Sequence, residues 1–413
     1  MRVATHRSPG FVFGEHEFEL PLDHDRPDGD KLTVFAREVV GAEHADEELP
    51  WLVYFQGGPG HESPRPLKRV DKTWTERALQ EFRLLLLDQR GTGRSSAVGA
   101  LSGMTPHEQA EYLQHFRADA IVRDAEAIRR ELGVDRWSVI GQSFGGFCVV
   151  TYLSFAPEGL ERAYVTGGLP PLERHVDDVY RATYERVREK TRAYYERYPE
   201  DRDRVRAIVA RLEDEEVHLP NGDRLTARRF RQLGQLLGMS DGAERLHYIL
   251  ELPFGSPPFL HDIERSHPFA RNPLYAVIHE ACYAPGLATR WSAERMFPDD
   301  FRDDPTLLTG EHVYSWMFED YGALRPLAEA AQILAEHDWP QLYDSARLAE
   351  NEVPAAAAIY AGDMYVERTF SEETAAAIRA LRPWLTNEYE HDGLRAEGAR
   401  VLGRLLDLAR GSA

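Results

Sequence analysis

Short apolar runs that alternate with amphipathic segments are the feature of this sequence that most constrains its fold. Four such runs read WLVYF, RLLLLD, WSVIG and RAYVTG and cover residues 51–55, 83–88, 137–141 and 162–167. The segment before the third run keeps apolar side chains on one helical face from Ile121 to Leu132, and Gly133 then ends the helix. Nearly continuous apolar strands joined by such helices predict an α/β fold with a mostly parallel, doubly wound sheet.

This strand series is preceded by a hairpin pattern and is interrupted once. Residues 16–22 and 31–40 alternate around a turn-rich stretch and predict an antiparallel hairpin. Residues 172–340 are charged, aromatic and helical in pattern, whereas strand-like runs return at 355–363 and 384–393. We therefore predict a first part of the core at 1–171, an inserted helical cap at 172–340 and a second part of the core at 341–413.

Composition restricts the classes of function. No apolar run approaches the roughly 18 residues that cross a bilayer, and the first residues do not read as a signal peptide, so we expect a cytoplasmic protein without membrane contact. With 69 acidic and 49 basic residues, the chain has a formal charge of −20, which argues against a nucleic-acid partner and favours a cationic substrate. Cys148 and Cys282 are too few for a disulfide framework, and both are expected to be reduced and buried.

The stretch GQSFG at residues 141–145 fits the Gly-x-Ser-x-Gly pattern of a nucleophile elbow, the strand-to-helix turn of α/β-hydrolases. It follows a predicted strand and opens a predicted helix. Glycines on both sides of Ser143 let the strand and the helix approach each other closely. We therefore predict that Ser143 is a nucleophile rather than a residue of a simple structural turn.

A serine nucleophile needs a base, and the base needs a carboxylate that fixes its tautomer. In this fold the chain order is serine, acid, histidine. Asp363 and His391 each directly follow a strand-like run after the insertion, which predicts both at the C-terminal edge of the sheet. Glu367 and Asp392 are alternative acids, His337 is an alternative base, and Asp363 could instead begin a helix or a turn. The sequence leaves these alternatives open.

The oxyanion of acyl transfer needs two N–H donors. Phe144, directly after the nucleophile, is predicted to supply one amide. The other is predicted from Gly57 or Gly58, in the loop QGGPG that follows the first apolar run. Asp88, Gln89, Arg90 and Arg94 follow the second run and are interpreted as a structural network around these loops.

Five segments together resemble the prolyl aminopeptidase, or proline iminopeptidase, family of serine exopeptidases. They read QGGPG, LLLDQRGTGRSS, GQSFGG, YAGDMYV and HDGLR, at residues 56–60, 85–96, 141–146, 360–366 and 391–395. The resemblance runs along nearly the whole chain, and the pairing of Gly-Gly-Pro-Gly with Asp-Gln-Arg-Gly is its most specific part. It implies an α/β-hydrolase with a helical cap that releases N-terminal proline from peptides.

The same resemblance implies that glutamates of the cap hold the free amino end of the substrate. The segment AVIHEACYA at 276–284 then assigns this role to Glu280, with Glu319 as a second residue and Glu311 as its alternative. Tyr283, Trp316, Phe318 and Tyr321 are candidates for the wall of a proline pocket, although aromatic residues of this kind also form ordinary core. Most cap glutamates are expected to be solvated.

Neither a metal nor an organic cofactor is expected, because no histidines and acids occur at credible ligand spacing. The expected partner is a peptide with a free N-terminal proline, and the sequence leaves open whether the chain forms homo-oligomers. Two alternatives remain. One keeps the triad with another substrate, such as an ester, a small amide or a different N-terminal residue. The other is a binding protein that has lost catalysis.

Overall fold

The computed structural model describes residues 2–67, 70–267 and 269–412, and nine strands of this part form one sheet. The strands are β1 (Arg2–Ser8), β2 (Phe11–Pro21), β3 (Lys31–Gly41), β4 (Trp51–Phe55), β5 (Arg83–Asp88), β6 (Trp137–Gln142), β7 (Leu160–Thr166), β8 (Ala355–Tyr360) and β9 (Leu381–Thr386). Their order across the sheet is β1-β2-β3-β5-β4-β6-β7-β8-β9.

The sheet is antiparallel at one end and parallel elsewhere. Strands β1, β2, β3 and β5 pair antiparallel, and β5, β4, β6, β7, β8 and β9 pair parallel in that spatial order. The hairpin predicted from the sequence is confirmed as β2–β3. Strand β9 begins three residues before the start of the predicted run and ends seven residues before the end of that run, because residues after Thr386 turn away toward the site described below.

The helices of the first part are α1 (Trp74–Ala78), α2 (Pro106–Leu113), α3 (Ala118–Glu131) and α4 (Phe144–Phe155). Between β7 and β8 lie α5 (Val176–Arg197), α6 (Pro199–Asp214), α7 (Ala227–Arg231), α8 (Gly242–Glu251), α9 (Pro257–Ser266), α10 (Pro273–Ile278), α11 (Ser292–Arg295), α12 (Asp299–Asp303), α13 (Met317–Asp320), α14 (Ala328–Ala335) and α15 (Ser345–Ala349). The last are α16 (Arg368–Ala377), α17 (Gly393–Ala396) and α18 (Gly398–Arg410).

Alternate side chains of the central strands enter two separate apolar cores, as the period of two in a strand requires. Val53 and Val139 point toward α3 and α4, whereas Leu52 and Ile140 point toward α1 and α18. Both faces of the sheet are therefore covered by helices. This arrangement holds the C-terminal ends of β4, β6, β7, β8 and β9 side by side along one edge.

The segment between β7 and β8 is helical, as the sequence predicts, and it does not form an isolated core. Its buried residues, among them Tyr180, Leu233 and Leu274, belong to the same apolar cluster as α3 and α4. Helix α14 packs on α2 of the first part. The division at residues 171 and 340 stays a prediction. Within the described ranges, we find no helix with the length and apolar character that crossing a membrane requires.

Candidate active site

Ser143 occupies a sharp turn between β6 and α4. Its backbone has φ 56° and ψ −127°, a conformation that residues with a side chain rarely adopt and that costs on the order of 1–3 kcal/mol. Two backbone bonds hold the turn: the Ser143 N–H donates to the Thr166 carbonyl at 3.0 Å, and the Gly146 N–H donates to the Ser143 carbonyl at 2.7 Å. The strain and these bonds present the hydroxyl at the C-terminal edge of the sheet.

The glycines around the serine are required by close backbone contacts. A Cβ atom on Gly145 would lie 2.0 Å from the Phe55 carbonyl oxygen, and one on Gly141 would lie 2.1 Å from the Gly145 carbonyl oxygen. Both distances are far below any tolerated contact, and the opposing atoms are backbone. Side chains at these positions would therefore push β6, β4 and α4 apart.

Asp363 and His391 lie in the loops that follow β8 and β9, and the structure brings them together. The Asp363 Oδ2 atom is 2.7 Å from His391 Nδ1, and both residues are buried. The other oxygen, Oδ1, accepts the backbone N–H groups of Tyr365 at 2.8 Å and Val366 at 3.1 Å. The carboxylate is thus fixed by the backbone and accepts the Nδ1 proton, which leaves Nε2 free to act as a base.

The electrostatics of His391 follow from these neighbours. Burial acts to lower its pKa, but the charge and hydrogen bond of Asp363, assisted by the charges of Glu311 and Asp392, raise the pKa of His391 above its ordinary value. The insertion also holds this histidine, because the backbone N–H of His391 donates to the carbonyl of Gly238, a residue of the insertion, at 3.1 Å.

The alternatives weighed for the acid and the base are engaged elsewhere. Asp392 accepts bonds from the Ser240 backbone and hydroxyl and pairs with Arg395. Glu367 accepts the first amides of α16, from Thr369 and Phe370, and forms an ion pair with Arg186. The His337 ring contacts Trp339 with ring centres 4.8 Å apart.

Ser143 and His391 lie on two sides of the turn after β7. A Cβ on Gly167 would be 3.3 Å from His391 Nδ1, and a Cβ on Gly168 would be 2.2 Å from the Ser143 carbonyl oxygen. No hydrogen bond between the Ser143 hydroxyl and the His391 ring is found in the described part of the chain. Such bonds are often long before a substrate binds, and the shared turn keeps the two groups neighbours.

The glycine loop after β4 lies beside the nucleophile. A Cβ on Gly57 would be 3.0 Å from Ser143 Cβ, and Gly58 lines a cavity together with Ser143 and Phe144. The base of this loop is tied to β5: Asp88 accepts the backbone N–H groups of Ser63 and Arg94 at 3.1 and 3.0 Å. Asp88 thus serves a structural network, as interpreted from the sequence.

The same network continues through two neighbours of Asp88. The Gln89 side chain donates to the Gln56 carbonyl at 3.1 Å and so holds the start of the glycine loop. Arg90 forms a buried ion pair with Asp124, with Nε 2.7 Å from Oδ2. The Gln89 contact fixes the loop from the side of the core, whereas Arg90 joins the segment after β5 to α3.

Ser143 lines a narrow cavity of about 10 Å³ between the sheet edge and the insertion, which is space for about one water molecule. Its wall consists of Gly58, Pro59, Ser143, Phe144, Phe147, His279, Cys282, Tyr283 and Glu311. This volume is far below the roughly 300–1,000 Å³ of pockets that hold drug-sized ligands. Of the four aromatic candidates named from the sequence, Tyr283 is part of this wall.

Glu311 is the acidic residue in this wall. The Tyr275 hydroxyl donates to its Oε1 at 2.7 Å, and His279 Nε2 lies 3.7 Å from its Oε2. Burial acts to raise the pKa of Glu311, but its contacts with His279 and Tyr275 and the charge of His391 lower it below the ordinary value. The wall therefore carries an ionised carboxylate close to the nucleophile.

The structure does not bring Glu280 or Glu319 to this wall. The buried Glu280 carboxylate accepts the backbone N–H groups of Ser292 at 3.2 Å and Ala293 at 2.8 Å, and burial raises its pKa to about 7. The Glu319 side chain is 77% exposed and lies 3.5 Å from Arg228. Glu311, weighed from the sequence as the alternative to Glu319, is the cap glutamate that lies in the cavity.

Sequence reasoning missed the residues that hold Glu311. Tyr275 and His279 are one helical turn apart on and just after α10, so the spacing Tyr-x-x-x-His before Glu280 was a usable signal. Cys148 and Cys282 are both free and buried, as predicted. Cys282, rather than Cys148, is the one that lines the cavity. Among the residues that the structure describes, no cluster of three or more potential metal ligands is found.

Comparison with known proteins gives consistent results. The α/β-hydrolase fold family matches residues 50–277. The chain is 48% identical to a proline iminopeptidase of Aeromonas sobria, over 96% of each chain. It is 36% identical to a proline iminopeptidase of Aspergillus aculeatus, over 98% of this chain and 95% of the relative. A solved proline iminopeptidase of Mycobacterium smegmatis covers 96% of this chain and 100% of its own at 13% identity, with a TM-score of 0.47.

The mostly parallel sheet, the serine at its strand-to-helix turn and the family match define an α/β-hydrolase. The two alignments over nearly the full length narrow the class further. The chain belongs to the prolyl aminopeptidase, or proline iminopeptidase, family of these hydrolases. The fold and the family resemblance predicted from the sequence are therefore confirmed.

Proposed function

We propose that this protein is a serine exopeptidase that releases an N-terminal proline from peptides. The observation that carries the proposal is that one small cavity is lined by both Ser143 and the ionised Glu311. A hydroxyl can attack a carbonyl, and a carboxylate can pair with a protonated amine. Their proximity suits a substrate whose reacting carbonyl belongs to the residue that carries the free amino end.

In the proposed reaction, Ser143 Oγ attacks the carbonyl carbon of the N-terminal residue while His391 Nε2 takes the hydroxyl proton. Asp363 keeps the Nδ1 proton in place and stabilises the imidazolium that forms. His391 then gives the proton to the leaving amine, and the C–N bond breaks. An acyl-enzyme on Ser143 remains.

Water completes the cycle. His391 takes a proton from a water molecule, whose oxygen attacks the acyl-enzyme carbonyl, and the proton returns to Ser143 as the ester bond breaks. The negative oxygen that forms in both steps is assigned to the backbone amides of Phe144 and of Gly57 or Gly58. These amides lie at the start of α4 and in the loop beside Ser143 Cβ.

The cavity supports an exopeptidase with a small first residue. Its narrowness disfavours a large first side chain, and Phe147 and Tyr283 make part of its wall apolar. Glu311 is held by the Tyr275 hydroxyl and the His279 ring rather than by a Lys or Arg, so a ligand with a protonated amine would add a cation beside this largely buried carboxylate. Proline itself is proposed because both full-length relatives bear the name proline iminopeptidase.

Other parts of the sequence-based picture stay predictions. They are the roles of Glu280 and Glu319 in amine binding, the cytoplasmic location, the absence of a nucleic-acid partner and any homo-oligomer. The proposed partner is a peptide with a free N-terminal proline.

The experiment that tests the proposal compares kcat/KM for prolyl, alanyl and leucyl 4-nitroanilides with that for N-acetylprolyl 4-nitroanilide. We expect the free prolyl compound to be the best substrate and the acetylated one to be turned over at least about 100-fold less efficiently, because acetylation removes the charge that pairs with Glu311. Ser143→Ala is the control and should lower kcat by roughly 10⁴-fold or more.

Three results would contradict parts of the proposal. A preference for the acetylated compound would exclude recognition of a free amine. A preference for the leucyl compound would exclude proline as the main substrate while keeping the hydrolase. If a fluorophosphonate does not label Ser143 in the folded protein, the binding-protein alternative is favoured.

A further inference from the structure

The glycine loop beside Ser143 is held from two directions. Its base is fixed to the sheet by Asp88 and Gln89, as described above. Its outer part, Gly60 to Glu62, contacts the segment that leads into α10 of the insertion. The side chains that make this second contact include Arg271, which forms an ion pair with Glu62, and Asn272, the residue directly before α10.

Asn272 is buried, and its amide nitrogen serves the loop. Nδ2 donates to the Gly60 carbonyl at 2.8 Å and to Glu62 Oε2 at 3.2 Å. Its own carbonyl accepts the Tyr275 backbone N–H at 3.1 Å, which closes the first turn of α10. One residue thus fixes both the helix start and the loop.

The backbone of the loop and the backbone of helix α10 approach each other closely. Gly60 has φ 79°, and a Cβ at this position would lie 2.7 Å from the Tyr275 backbone nitrogen and 3.1 Å from the Leu274 carbonyl carbon. The loop backbone therefore rests directly on the first turn of α10. We therefore expect a shift of this turn to displace Gly60 and the neighbouring amides at Gly57 and Gly58.

Helix α10 also reaches the other functional group of the cavity. Tyr275 donates its hydroxyl to Glu311, and His279, directly after the helix, lies beside the same carboxylate. Residues 272–279 therefore connect the carboxylate proposed to bind the substrate amine with the loop proposed to bind the oxyanion.

We propose that Asn272 is a positioning residue that holds the Gly57–Gly58 amides in place for the oxyanion and couples them to the amine site through α10. This inference rests on the proposed function. Placing donors within a fraction of an ångström of the developing charge is the main requirement of an oxyanion site, and loss of one donor costs about 10²–10³ in kcat. Loss of the side chain that positions the donors should therefore lower kcat with little change in KM.

The test uses Asn272→Asp, which keeps the shape but replaces the donor by an acceptor, and Asn272→Ala as a second variant. With prolyl 4-nitroanilide we expect kcat to fall roughly 10- to 100-fold and KM to change less than about 3-fold. Binding of a prolyl boronate, which forms a tetrahedral adduct on Ser143, should weaken by the same factor as kcat. Binding of prolinamide, which mimics the ground state, should change little.

Asn351→Asp is the matched control. Asn351 is also buried, and its Nδ2 donates to the Val353 and Arg379 carbonyls at 2.9 and 2.7 Å, before β8 and far from the cavity. This variant should lower the melting temperature by an amount similar to Asn272→Asp but leave kcat unchanged. Equal losses of kcat in the two variants would show that Asn272 acts only through stability.

A second substrate separates this inference from the proposed function. p-Nitrophenyl acetate has no amine, so its hydrolysis needs the oxyanion site but not proline recognition. If prolyl anilides are poor substrates while both Asn272 variants lower acetate turnover at least about 10-fold, the proposed specificity fails and the role of Asn272 stands. If folded Asn272→Asp or Asn272→Ala keeps wild-type kcat on both substrates, or changes KM alone, the role of Asn272 is excluded.

Discussion

At the scale of single residues, the environment decides what each glutamate of the insertion can do. Glu311 faces the cavity, where His279 and Tyr275 lower its pKa and keep it ionised. Glu280 is buried against two backbone amides, and burial raises its pKa to about 7. The first carboxylate is held by Tyr275 and His279 but faces the cavity, where a ligand can reach it, whereas the second is occupied by backbone amides of the protein itself.

This contrast gives a prediction for amine binding. Glu311→Gln keeps the shape of the side chain but removes its charge, so KM for prolyl 4-nitroanilide should rise about 10- to 1,000-fold, as expected when one partner of a buried ion pair is lost. Glu280→Gln is the isosteric comparison and should leave KM within about 3-fold. Steady-state kinetics at pH 7 measures both.

The opposite pattern, with a large KM increase in Glu280→Gln alone, would restore the role that the family resemblance implies for Glu280. Equal increases in both variants would mean that the two carboxylates act together on the amine. Either result would require a different arrangement of α10 and α11 when substrate is bound.

The sequence was sufficient to predict where the residues that follow strands lie. Ser143, Asp363 and His391 could be ranked because each follows a strand, and parallel strands end at the same edge of a sheet. The choice between Glu280, Glu311 and Glu319 could not be made in this way. That choice depends on how the short helices of the insertion pack on each other, and no periodic pattern in the sequence predicts this packing.

At the scale of elements, a buried carboxylate joins the antiparallel strands. Glu38 on β3 contacts His16 on β2 at 2.9 Å and forms ion pairs with Arg2 on β1 and Arg83 on β5. Burial acts to raise the pKa of Glu38, but these three partners lower it to about 2. One side chain therefore links four neighbouring strands. Strand β1 was not predicted, since its residues are mostly exposed and lack a clear apolar alternation.

Glu38 gives a prediction for stability in acid. Because its pKa is lower in the folded protein than in the unfolded chain, its contribution is complete above about pH 4.3 and disappears as the pH falls toward 2. Glu38→Gln should lower the free energy of unfolding by about 2 kcal/mol at pH 7. The difference from wild type should vanish near pH 2, as measured by urea unfolding across this range.

Glu19→Gln is the control for this experiment. Glu19 lies on the same hairpin, is exposed and accepts a bond from the Thr33 hydroxyl at 2.6 Å. Its substitution should change the free energy of unfolding by less than about 0.5 kcal/mol at either pH. If Glu38→Gln shows the same small and pH-independent change, the network does not stabilise the strands.

At the scale of the whole molecule, residues of the insertion hold parts of the site that belong to the first and the second part of the core. Gly238 holds the backbone of His391, and Asn272 holds the loop after β4. The formal charge of −20 gives the protein as a whole a negative field. Such a field raises the local concentration of cations, and salt screens it over about 10 Å at 0.1 M ionic strength.

The field gives a prediction for salt dependence. For the protonated prolyl 4-nitroanilide, kcat/KM should fall several-fold between about 20 mM and 500 mM sodium chloride, because screening weakens the attraction of a cationic substrate. For the neutral p-nitrophenyl acetate, the value should stay within about 2-fold over the same range. Equal salt effects on the two substrates would show that the net charge does not assist binding.

The small volume of the cavity beside Ser143 has a consequence for a hydrolase that acts as proposed. The freed amino acid carries the same ammonium group and ring as the end of the next peptide, and a cavity this small cannot hold both. The freed proline must therefore leave the cavity before the N-terminus of another peptide can bind. Free proline would then compete with incoming chains, so the rate of trimming would fall as proline accumulates around the protein.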